Sequence, residues 1–134
     1  MTKPTDESMA SNYLEKAENS LRMAKIALEQ KAYDNAVMSA IHSAINVLDA
    51  LAVSHLGKRA SGTHTDSLLI VKPLFTTNEY LEISKQFTSL ISKKNASEYQ
   101  PELMSKGDAE RSIKGAERIA DRVKQKMKNL NQMK

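Results

Sequence analysis

Residues 35–56, NAVMSAIHSAINVLDALAVSHL, decide the fold. Ala36, Ala40, Ile41, Ala44, Ile45, Leu48, Leu51, Ala52 and Leu56 recur at spacings of three, four and seven. That is the period of a helix that buries a wide stripe. The alanines let neighbouring helices approach closely, while the isoleucines and leucines supply apolar area. Other helices should therefore pack around this one.

Working outward, Gly57 is placed as a left-handed C-terminal cap, and Asp34 as an N-cap within a break at KAYD, residues 31–34. Upstream, a first helix spans about 8–30, with Leu14, Ala17, Leu21, Ala24 and Leu28 on one face and Glu18 and Arg22 paired on its flank. So short a connection makes the first two helices an antiparallel hairpin. Residues 1–7 read as a disordered tail.

Downstream, residues 58–66 read as a basic, flexible loop. Thr65 or Asp66 starts a short helix that Pro73 cuts. Asn78 is the expected N-cap of a helix over 79–97, with Tyr80, Leu81, Ile83, Phe87, Leu90 and Ile91 as its apolar positions. Pro101 breaks the chain, and Asp108 caps a last helix with Ile113, Ala116, Ala120, Val123, Met127 and Leu130 on its stripe. The expected fold is all-α: an up-and-down bundle of four long helices and one short one, forming a single domain over 8–130.

Composition agrees with that reading and excludes several others. The 134 residues suffice for one core without staples. With no cysteine there are no disulfides or thiolate metal sites, and three histidines without paired spacing argue against zinc. No run of 18 or more consecutive apolar residues suggests a membrane span, and the first dozen residues lack the apolar core of a signal peptide. No cofactor and a cytoplasmic location are expected. The net charge of +4 is uneven, with residues 111–134 carrying +6 and residues 1–110 carrying −2. That asymmetry suits an anionic partner such as RNA, or simply a last helix whose cations meet the negative end of its dipole.

Three segments carry a family resemblance. They are AVMSAIHSAINVLDALAVSH, with a central His42; THTDSLL, with His64; and LISKKNASEYQPELMSKGDAERSIKGAERIADRV, which holds Lys94 and Tyr99. In order and spacing they resemble the HEPN family (higher eukaryote and prokaryote nucleotide-binding domain) over about residues 8–125. The resemblance implies a dimeric helical bundle, often encoded beside a minimal nucleotidyltransferase as a toxin–antitoxin pair. Many members are metal-independent ribonucleases using an Arg-x4–6-His motif near the end of the fourth helix. Their arginine and histidine, paired across the dimer, handle the 2′-hydroxyl and the scissile phosphate.

This chain departs from that motif. Lys94 stands where the arginine would, the segment ends in Tyr99, and no histidine follows His64. Lysine lacks the planar fork that binds phosphate bidentately, and tyrosine, with a pKa near about 10, is a poor general base at neutral pH. Hydrolysis by the family motif is therefore not expected. Arg59 and His64 match Arg-x4-His literally, but between the second and third helices, so chance spacing is preferred.

The expectation is a HEPN-type module, homodimeric, that binds a nucleotide, RNA or a nucleotidyltransferase-type antitoxin. The candidate residues are Lys94, Asn95 and Tyr99, with His42, Asp49, His64 and Arg59. Each has a structural alternative. His42 fits a core or interface histidine, and Asp49, seven residues on, either flanks a polar pocket with it or lies exposed. His64 fits a brace at the start of the short helix. Lys93, Lys94 and Asn95 fit ordinary helix-end polar residues, and Tyr99 fits packing against the bundle. Two other functions remain open: a metal-independent ribonuclease with a displaced site at Arg59, His64 or Lys94, and a purely structural interaction bundle.

Overall fold

The computed structural model describes residues 2–4, 6–60 and 65–132, without the side chains of residues 3, 4, 65 and 97–99. Five helices follow in order: α1 (Ala10–Glu29), α2 (Tyr33–Leu56), the short α3 (Thr65–Val71), α4 (Thr77–Tyr99) and α5 (Lys106–Gln132). Two three-residue strands, β1 (Thr2–Pro4) and β2 (Lys58–Ala60), pair antiparallel, with Thr2 opposite Ala60. The all-α bundle of four long helices and one short one stands, with α2 at its centre.

Helix α2 is buried on more than a stripe. Val37, Ser43, Val47, Ala50 and Val53 are covered as well as the expected alanines, isoleucines and leucines, save Leu56, which is half-buried. It packs along α1 and α5 and touches α3 and α4. By length and composition α2 is apolar enough to cross a bilayer, although it contains no unbroken apolar run of 18 residues. In this fold that apolarity is spent on four neighbouring helices. Small residues set its approach to α1: Ala17 and Ala24 face α2, and the Ser43 hydroxyl donates to the Ala17 carbonyl at 2.8 Å.

The helix ends show why several expected caps move. Gly57 caps α2 in the left-handed region, φ 64°, as expected. Asp34 lies inside the first turn of α2 and accepts from the Met104 N–H at 3.1 Å, tying the α4–α5 connection to α2. Lys31 takes the left-handed turn between α1 and α2, φ 61°. Asn78 yields to Thr76, because Glu79 is correctly spaced to close a capping box with it. Asp108 likewise lies three residues inside α5, where it and Ser105 bond each other's backbone N–H at 3.0 Å.

The disordered tail expected over 1–7 is corrected at its described residues. Residues 2–4 pair with β2, and the Asp6 carboxylate accepts from the Ser8 N–H ahead of α1. The same pairing turns the first part of the expected basic loop into β2. Two smaller differences follow from packing. Leu81 points outward, 54% exposed. Glu18 reaches Lys124 of α5, while Arg22 donates to Asn19.

Candidate functional site

Helices α4 and α5 run antiparallel, and their register can be read from the charges between them. Glu79 meets Lys126 at 2.9 Å, and Glu82 meets Arg122 one turn along. Lys126 also lies over the Phe75 ring, 5.4 Å from its centre. Another turn along α4 the sign changes to Lys85, while the next residue on that face of α5 is Arg118, still a cation. Past that point lie Lys114 and the cluster of Lys93, Arg111 and Asp108.

These side chains line a groove of about 380 Å³ between the two helices. Its charged lining is Lys85, Lys93, Arg111, Lys114 and Arg118 against Asp108 alone. That excess of four cations equals the net charge of the whole chain. The groove floor is neutral and small: Ser89, Leu90, Ser112 and Gly115, with Gln86 on the wall.

Asp108 organises one end of the groove. Lys93 and Arg111 each hold its Oδ1 at 3.0 Å. The Ser105 backbone N–H and the Lys93 ammonium keep its carboxyl well below the usual carboxylate range, so it is ionised throughout the neutral range. Towards the middle and the other end, among the described residues, no carboxylate meets Lys114, Lys85 or Arg118. Like charges facing one another across a helix pair cost stability, and a bound anion removes that cost.

Three other cations of α5 are committed elsewhere. Lys124 pairs with Glu18, Arg122 with Glu82 and Lys126 with Glu79. The basic character of the last helix thus divides in two: Arg122, Lys124 and Lys126 are bonded to α1 and α4, while Arg111, Lys114 and Arg118 line the groove.

The residues singled out from sequence do not converge on one place. Lys94 and Asn95 lie at the end of α4 beside the groove residue Lys93, and Lys94 already has a partner. Tyr99 closes α4, but its side chain lies outside the described residues. His42 is exposed and lines a shallow cavity between α1 and α2 with Met23, Ile26 and Met38.

Asp49, two turns along α2, is buried and accepts from the Ser67 hydroxyl of α3 at 3.1 Å. His42 and Asp49 therefore do not flank one pocket, because the seven-residue α3 covers only the far end of α2. Burial pushes the Asp49 carboxyl up to about 6, against the Ser67 hydrogen bond and the attraction of Arg59. Arg59 sits on β2, and His64 lies outside the described residues.

Sequence reasoning missed Lys85, Gln86 and Gly115 as parts of a site. A signal existed: Lys85, Ser89 and Lys93 step by four along α4, and Arg111, Gly115 and Arg118 step by four and three along α5. Each set lies on one helix face. Only the register shows that the two faces meet.

Comparison with known proteins gives a family and a fold. The family model of the HEPN domain matches residues 10–126. Among solved structures the chain is similar to TT1696 from Thermus thermophilus, with a TM-score of 0.74 and 19% identity. The likeness covers 88% of this chain and 98% of that one. No curated protein matches the chain.

Proposed function

The chain belongs to the HEPN family, and from the α4–α5 groove we infer that this member binds the phosphates of a nucleotide or an RNA strand. The single observation behind this reading is the reversal of sign along the α4–α5 register. Two acid–base pairs, Glu79–Lys126 and Glu82–Arg122, give way to Lys85 facing Arg118. Folding would favour continuing the pairs, so unpaired cations in a concave groove favour an external anion. Five long basic side chains around neutral small residues suit phosphate oxygens, which take point charge from lysine and a fork from arginine.

The module would act by binding rather than by cleavage, since Lys94 and Tyr99 replace the arginine and histidine of the family's ribonuclease motif. The resemblance favours a toxin–antitoxin or nucleotidyltransferase-associated setting, with a homodimer as the working form. A second reading, an interaction bundle for a protein partner, is favoured by the α1–α2 face, where Met23 and Ile26 are 52% and 43% exposed beside His42.

The test is titration of a labelled single-stranded RNA against wild type and a Lys85→Ala, Arg118→Ala double variant, over a range of salt. The double variant should bind at least tenfold more weakly. Its slope of log affinity against log salt should be shallower by about 1.4, because two fewer phosphates of a single strand are neutralised. Equal affinity and equal slope would remove the groove from consideration. Failure of the wild type to bind any RNA or nucleotide would favour the interaction bundle.

A further inference from the structure

Two features of the groove are unexplained by its charge. The first is Gly115, in the middle of the 27-residue α5. Glycine inside a helix is less stable than alanine, and it is kept where a backbone must turn or another group must come close. Neither protein need applies here. Gly115 has ordinary helical backbone, and the atoms nearest to a Cβ at this position would be those of the Leu90 side chain, at 3.7–3.9 Å, which is normal contact. Because Gly115 lines the groove, a Cβ there would narrow it beside Leu90.

The second is Gln86, whose side-chain carbonyl oxygen is buried with no donor among the described residues. An unmet acceptor of this kind costs stability until a donor reaches it. Both features therefore weaken the empty protein; Gly115 lies between the two cationic ends of the groove, and Gln86 follows Lys85 at one of them.

The ends are Lys85 with Arg118 and Lys93 with Arg111, eight residues apart on α4 and seven on α5. Such separations are about 12 Å and about 10 Å along a helix axis. Leu90 and Gly115 lie between them, placed so that a Cβ on residue 115 would just reach the Leu90 side chain. A phosphate at one end leaves the middle and the other end unused.

Building on the phosphate-binding reading above, we propose that the groove seats a nucleoside that carries phosphates on both its 3′ and 5′ sides. Its sugar and base lie over the Leu90–Gly115 floor, and its phosphates reach the two cationic ends. A ribose hydroxyl or a base amine donates to Gln86 once that side chain turns toward the ligand. The end with Lys85 and Arg118 carries no carboxylate and takes the more highly charged phosphate, with Lys114 between the two ends. The other end, where Asp108 already offsets one of the two charges of Lys93 and Arg111, takes the less charged one. This chemistry is found in a free nucleoside bisphosphate and in each internal residue of a nucleic-acid strand.

Calorimetric titrations with pyrophosphate, adenosine 5′-monophosphate, adenosine 3′,5′-bisphosphate and hexa-adenylate RNA would test this. The bisphosphate should bind at least tenfold tighter than the monophosphate or pyrophosphate. Hexa-adenylate binding as tightly as the bisphosphate identifies a strand as the source, and weaker binding identifies the free nucleotide.

Gly115→Ala should raise the melting temperature and lower bisphosphate affinity at least fivefold, and Gln86→Leu should act in the same two directions. A purely structural glycine would move stability alone. If pyrophosphate bound as tightly as the bisphosphate, or Gly115→Ala left affinity unchanged, the nucleoside seat would be overturned while phosphate binding stood. If none of the four bound, both readings would fall together.

Discussion

Asp49 and the cations of the α4–α5 groove are charges placed where folding alone would not put them, and they differ in where their counterparts lie. Asp49 is buried under α3, takes a hydrogen bond from Ser67, and feels Arg59 on β2. Each group that acts on it belongs to the same chain. Lys85, Lys114 and Arg118 stand open to the groove, and among the described residues no carboxylate reaches them. A charge answered from within serves the fold or burdens it; a cluster left unanswered in a concave surface is available to a ligand.

The comparison is sharpened most by Asp49→Asn. Burial raises the folded-state carboxyl to about 6, against a reference of 3.8. Between those values the native protein holds a proton that the unfolded chain has released, so stability falls as pH rises through the window. Above about pH 6 the cost is fully present. The shift corresponds to at most about 3 kcal/mol at pH 7, and the Asp49→Asn variant should recover up to that amount while flattening the pH dependence between about pH 4 and 6. Urea unfolding at a series of pH values checks both points. RNA affinity should not change, and a loss of affinity would mean that Asp49 also serves the ligand.

Arg118→Glu tests the groove side. It continues the acid–base ladder by one turn, so that the introduced carboxylate faces Lys85 as Arg122 faces Glu82. Binding of RNA or bisphosphate should fall at least tenfold, about 1.4 kcal/mol, while stability rises by at most about 1 kcal/mol, the range of an exposed pair. Thermal unfolding and anisotropy on the same samples check the two directions. A drop in stability would break the contrast, because Arg118 would then have a structural partner of its own.

Much of the fold was legible because its signals are local or periodic. The stripe of α2 and the glycine after it are of this kind, as are the apolar faces of α1 and α5. What moved were features with several nearby solutions. Thr76 and Asn78 are both good caps, and only Glu79, three residues beyond Thr76, selects between them. A three-residue strand has no period to detect, so β1 and β2 were hidden within an expected tail and an expected loop. Lys93 was legible as a helix-end cation, and the last helix as basic. Which of its cations α1 and α4 would neutralise depended on the α4–α5 register, which no pattern within either helix contains. Gly115 drew no notice because a lone glycine in a helical pattern has many explanations until its neighbours are known.

The smallest expected effect closes the comparison from the other half of α5. Lys124 reaches Glu18 of α1 at 3.7 Å, and both side chains are at least half exposed. A long, solvated pair of that kind contributes at most about 0.5 kcal/mol, so Lys124→Ala should barely move the melting temperature. It should also leave RNA affinity within twofold of wild type, because the removed charge lies outside the groove. The variant removes one unit of net charge, as Arg118→Ala does, so the two separate a localised anion seat from general attraction to a basic protein. Equal losses of affinity in both would mean that RNA senses the whole of α5 as a diffuse field. A loss confined to Arg118→Ala would tie binding to the one stretch of the register where the helices leave their charges unpaired.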